Sequence, residues 1–150
     1  MTEPASNHHA SPQDASRSLL PLEPSVGMVS YRVADIQRSL RFYVGVLGMT
    51  ERARFPGLGA DERELVLGFP NTRGALVMLM WNVSRSRPYQ IGDGYSRFTI
   101  MVRNADAAMN HLVEHGVPVI LPVSEANNCR YGVVADPDGY RIELLQLLRT

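Results

Sequence analysis

Asp136-Pro137-Asp138-Gly139-Tyr140-Arg141-Ile142-Glu143-Leu144-Leu145 decides how this chain is read. The first four residues are a turn with a mechanism: proline presets φ, aspartates accept from nearby backbone, and glycine supplies positive φ. The residues after the turn read as a strand apolar enough to be buried on both faces, yet it carries one carboxylate, Glu143. An ionised carboxylate there needs a counter-charge, hydrogen-bond donors or a metal. That partner must come from elsewhere in the chain.

Upstream of the turn, Phe98, Ile100 and Val102 alternate with Arg97, Thr99 and Met101, as in a strand. Asn104 caps a helix whose apolar side is Ala105, Ala108, Met109 and Leu112, and Gly116 ends it. Strands are expected over 117–123, 130–135 and 140–148. The same order occurs earlier. Val29, Tyr31 and Val33 alternate with Ser30 and Arg32 in a strand over 27–33, and Asp35 caps a helix carrying Ile36, Leu40, Tyr43, Val44 and Leu47 up to Gly48. Strands over 49–55, 62–69 and 75–82 come next, with Gly57-Leu58-Gly59 as a hairpin turn. Val33 and Val102 are 69 positions apart, and Gly48 and Gly116 are 68 apart. Two tandem βαβββ units imply a duplication, and each unit alone leaves one sheet face uncovered. The expected class is α+β: two tandem βαβββ modules forming a curled mixed sheet around a central pocket, helices outside. Residues 1–24 read as a mobile tail and 25–150 as one domain, with module one at 27–82, a linker at 83–94 and module two at 95–148.

Composition narrows the function. Fifteen basic residues balance fifteen acidic ones, so no global field steers the chain to nucleic acid or a membrane surface. The single cysteine, Cys129, rules out an intramolecular disulfide and fits a reducing compartment. No apolar run reaches the ~20 residues of a membrane span, and the first residues lack the pattern of a signal peptide. A cytoplasmic protein is expected.

The βαβββ duplication, the run Tyr31-Arg32-Val33-Ala34-Asp35-Ile36-Gln37-Arg38-Ser39-Leu40-Arg41-Phe42-Tyr43 leading into Val46-Leu47-Gly48-Met49, and the stretch from Asp136 to Leu144 resemble the vicinal oxygen chelate superfamily. That group holds glyoxalase I, extradiol dioxygenases, methylmalonyl-CoA epimerase, fosfomycin-resistance enzymes and the bleomycin-binding proteins. The glyoxalase I branch is nearest in wording. The resemblance implies metal ligands at equivalent places on the first and fourth strands of each module, which here hold Met28, Met78, Arg97 and Glu143. A thioether is a soft, weak ligand, and a guanidinium cannot ligate a divalent cation. Neither a metal nor another cofactor is therefore expected.

Alternation maps the pocket-facing side chains. Met28, Ser30, Arg32, Arg97, Thr99 and Met101 share that orientation, as do Met78 with Met80 and Glu143 with Leu145. Arg97 and Glu143 are the candidate catalytic pair, or else an ion pair that neutralises itself. Met28, Ser30, Met78, Met80, Thr99, Met101 and Leu145 are the candidate substrate-binding residues. The expected function is metal-independent handling of a small carbonyl or carboxylate compound, as a lyase or isomerase working by proton transfer. The alternative is a non-catalytic, drug-sequestering protein of the bleomycin-resistance type. A divalent-metal lactoylglutathione lyase or dioxygenase, joining Glu143 with Glu64 or a histidine, ranks below both. A homodimer is expected, since in many relatives a second subunit completes the cavity. His111 and His115, spaced for zinc, read as surface residues, as do His8 and His9; Arg85 and Arg87 read as a solvated linker, Cys129 as an incidental loop thiol, and Trp81 as core.

Overall fold

Each segment with period-two alternation becomes a strand, and each segment after an Asp or Asn cap becomes a helix. The computed structural model describes residues 26–71 and 76–148. The tail expected over 1–24, with His8 and His9, lies outside these residues. Module one runs β1 (Met28–Arg32), α1 (Ile36–Leu40) continued by a π-helical segment (Arg41–Val46), β2 (Thr50–Phe55), β3 (Glu62–Gly68) and β4 (Leu76–Asn82). Module two runs β5 (Phe98–Met101), α2 (Ala105–Glu114), β6 (Val119–Ala126), β7 (Cys129–Ala135) and β8 (Arg141–Leu147).

The caps work as expected. Asp35 accepts from the Gln37 and Arg38 amides at 2.9 and 3.1 Å, and Asn104 accepts from the Ala107 amide at 2.9 Å. Gly48 and Gly116 end the helices at φ 75° and 72°, where other residues are strained. One turn is not signalled by the sequence pattern. Asn127 and Asn128 both hold positive φ, 49° and 62°, and join β6 to β7 as a tight hairpin. β6 therefore runs on to Ala126, and Cys129 opens a strand instead of sitting in a loop.

The sheets are ordered β1-β4-β3-β2 and β5-β8-β7-β6, and among the described residues pairing is parallel only between β1 and β4 and between β5 and β8. Register then fixes the faces. Tyr31 sits opposite Leu79, which sits opposite Leu65, and all three are buried. In the second sheet Ile100 sits opposite Leu144, and Val134 opposite Ile142. These side chains and the helix residues Phe42, Tyr43, Met109 and Leu112 form one hydrophobic core spanning both modules. Val29 shares that face, but β1 is an edge strand and the residue stays 37% exposed. The opposite faces of both sheets point away from the shared core, and Met28 and Met101 there are 40% and 57% exposed.

The Asp-Pro-Asp-Gly turn has a larger part than its local chemistry suggests. Asp136 accepts from the Asp138 and Tyr140 amides at 2.9 and 2.8 Å, and from the Tyr43 hydroxyl of module one at 2.8 Å. Asp138 accepts from the Ala34 amide at 3.0 Å and the Arg38 guanidinium at 2.9 Å. Tyr140 stacks on Tyr31 at 5.0 Å and donates to the Arg32 carbonyl at 2.9 Å. The turn is thus a clasp between modules.

Candidate active site

Glu143 has a partner for each of its carboxylate oxygens. The parallel pairing of β5 with β8 sets Thr99 directly opposite Glu143, and the Thr99 hydroxyl donates to Oε2 at 2.8 Å. Arg97, just before β5, donates from Nε to Oε1 at 3.0 Å. The Glu143 residue is 9% exposed, whereas the Arg97 side chain is 47% exposed. Arg97 touches the carboxylate through Nε alone. Its Nη1 makes a long 3.4 Å contact with the Ser96 hydroxyl, and Nη2 has no hydrogen bond among the described residues. A guanidinium that spent its fork on a carboxylate would present two parallel bonds. This one leaves its outer edge without a carboxylate bond among the described residues.

The remaining candidates fall into two rows. On module one, Met28, Ser30 and Arg32 of β1 lie beside Leu76, Met78 and Met80 of β4. On module two, Thr99 and Met101 lie beside Glu143 and Leu145. Each row is coherent, and the two belong to different sheets. The positions where the resemblance implies metal ligands therefore offer two thioethers on one sheet, and a guanidinium bonded to a lone carboxylate on the other. That donor set does not fit a divalent cation. Glu64 pairs with Met80 in module one, and among the described residues no three His, Cys, Asp or Glu side chains gather closely enough to hold a metal ion. His111 and His115 are exposed, and each ring bonds a backbone carbonyl: Val46 at 2.9 Å and His111 at 2.8 Å. A carbonyl only accepts, so these ring nitrogens carry the hydrogens.

The linker is more ordered than its composition suggests. Arg85 lies 3.9 Å over the ring of Tyr89 and donates to the Arg87 and Pro88 carbonyls at 2.8 and 3.0 Å. Arg32, paired with Glu62, lies 6.0 Å from the same ring. Together with Asn82 and Arg87 these residues line a cavity of about 440 Å³ at the end of the module-one row. Tyr89 is not legible in the sequence because nothing in a Ser-, Arg- and Pro-rich loop marks which ring two guanidinium groups will share. Trp81 packs against the core, partly exposed.

Comparison with known proteins settles the family. Residues 25–144 match the model of the Glyoxalase/Bleomycin resistance protein/Dioxygenase superfamily. The chain belongs to that superfamily. It is 32% identical over 121 residues to the lactoylglutathione lyase of Salmonella typhimurium, covering 77% of this chain and 87% of that one. Among solved structures, the trypanothione-dependent glyoxalase I of Leishmania major superposes with a TM-score of 0.71 at 26% identity, covering 83% of this chain and 87% of that one. TnmS3, an antibiotic binding protein from Streptomyces sp. CB03234, shares the fold with a TM-score of 0.66 at 24% identity, covering 83% of this chain and 96% of that one. This member is a glyoxalase-like α+β protein of two βαβββ modules, and no helix among its described residues is long and apolar enough to cross a membrane.

Proposed function

We propose that this glyoxalase-like chain is a metal-independent lyase or isomerase that moves a proton on a small carbonyl or carboxylate compound. One observation carries the reading: Arg97 holds Glu143 through Nε and leaves its terminal edge to a ligand oxyanion. In the proposed step, the Glu143 carboxylate takes the proton from the carbon next to a ligand carbonyl. The C–H electron pair becomes a carbon–carbon double bond, the carbonyl π pair moves onto the oxygen, and Arg97 stabilises the enolate oxygen that develops there. Return of the proton to the same carbon, or, where that carbon bears a hydroxyl that gives its own proton to the oxyanion, to the former carbonyl carbon, closes the cycle with no oxidant or reductant. The arginines around Tyr89 favour a ligand with a carboxylate or similar anionic end. A second chain is proposed to bring its module-one row over the Arg97–Glu143 row and close the pocket, which is consistent with the exposed Met28 and Met101.

The methionine-rich rows favour a second reading, binding of a flat apolar compound without chemistry. Deuterated buffer separates the two. With excess EDTA, pyruvate at its methyl carbon or S-lactoylglutathione at its hydroxyl-bearing carbon should gain deuterium faster in the presence of the protein, and Glu143→Gln should slow that gain by roughly 100-fold or more. Arg97→Ala should slow it by roughly 10- to 100-fold. Binding of these compounds with no exchange would remove the enzymatic reading and leave the sequestering one. A requirement for added metal would remove the metal-independent part.

A further inference from the structure

We propose that Thr99 is the positioning residue of this site, its hydroxyl setting the direction in which the Glu143 carboxylate points. The inference deepens, and rests on, the reading of Glu143 as a base.

Three observations carry it. Thr99 is the strand partner of Glu143, so backbone hydrogen bonding fixes the distance between their Cα atoms, and the hydroxyl reaches Oε2 at 2.8 Å. Threonine is β-branched and stiff at χ1, so a hydroxyl on a strand is a fixed donor. Arg97 is different in kind: it lies outside β5 on a long side chain that is 47% exposed, and exposed ion pairs hold their partners weakly. The donor with least freedom is therefore Thr99. The duplicated module supplies an internal control. Ser30 occupies the matching place on β1, but its strand partner is Met78, and its hydroxyl makes no hydrogen bond among the described residues. A hydroxyl at this register is not something the sheet itself requires. Where the neighbour is a carboxylate, it is used.

If the carboxylate swung away from Thr99, Oε1 would also leave Arg97 Nε. The two contacts hold opposite oxygens of one rigid plane, and both are needed to keep base and oxyanion holder in register. Valine has nearly the shape of threonine and a higher strand preference, so Thr99→Val removes the hydroxyl while leaving the sheet intact.

The test uses the full chain with two readouts. The Arg97 Nε–H resonance is tracked by NMR at fixed pH, and deuteration of the pyruvate methyl carbon is tracked in excess EDTA. Thr99→Val should broaden or shift the Nε–H signal and lower kcat roughly tenfold with KM within about twofold, the effect of losing one hydrogen bond to a charged group. Thr99→Ser should restore both. Should the valine variant not fold, Thr99→Ala is read the same way. A valine variant with the parent's Nε–H signal and the parent's kcat would overturn the positioning role. If neither the parent nor any variant deuterates pyruvate, the base reading fails, and the NMR signal still decides whether Thr99 orients Glu143.

Discussion

Outside the candidate site, Asp136 is a buried carboxyl held by three hydrogen-bond donors. It is 3% exposed, and burial pushes its carboxyl above the usual carboxylate value of 3.8, against the lowering effect of donors from Tyr43, Tyr140 and Asp138. Burial likewise pushes the Tyr43 hydroxyl well above its ordinary value, so Tyr43 is a firm donor to Asp136. A carboxyl whose folded value is raised makes its contribution to stability below the unfolded value and loses it as pH climbs through the folded one. In that window the folded chain holds the extra proton. Asp136→Asn keeps an oxygen for the two amides and does not ionise, so it should remove this dependence. Urea denaturation in steps from about pH 3.8 to pH 7 should show the parent losing stability relative to the asparagine variant as pH rises. Asp136→Ala, which deletes all three acceptor contacts, should cost about 3 kcal/mol near pH 4, and less as pH rises and the parent loses its own pH-dependent share. The sequence marks this aspartate as a turn residue and no more, because its partner Tyr43 lies 93 positions away.

Among elements, the β6–β7 hairpin of module two is packed to a tolerance that one methyl group would exceed. A Cβ on Gly132 of β7 would come within 2.6 Å of the Met109 Cε atom on α2, 3.2 Å of the Leu121 carbonyl and 3.3 Å of Val123 Cγ2 on β6. The methionine tip can move, but the strand carbonyl cannot shift without disturbing the β6–β7 ladder. Gly132→Ala should therefore destabilise the fold by about 1–3 kcal/mol, read as a lower urea midpoint at unchanged slope. The order of strands and helices was legible throughout, because alternation, caps and glycine stops are written locally. Element ends were less so. β6 extends to a turn made by Asn127 and Asn128, a pair that supplies positive φ in place of the glycine that usually signals such a turn.

At the scale of the molecule, the two modules join through the faces that carry their helices, leaving the Met78 row and the Glu143 row on outward faces. Our proposed second chain has a direct measurement: sedimentation should report twice the chain mass of 16.7 kDa. Met101→Asp, which charges an apolar side chain that is 57% exposed beside the Glu143 row, should return single chains with an unchanged circular dichroism spectrum. A parent that sediments at one chain mass would remove the shared pocket from the proposal.

Period-two and period-3.6 patterning, the two capping residues and the 69-position repeat sufficed to specify two βαβββ modules, since each depends on neighbours a few residues apart. They also placed Glu143 on an apolar strand with Arg97 near the start of its neighbour. What folding alone decided is pairing at long range: Thr99 against Glu143, Tyr43 against Asp136, Arg32 and Arg85 against one tyrosine ring. Strand register and module docking arise from burying the whole core at once, so no local stretch of residues encodes which distant side chains will meet.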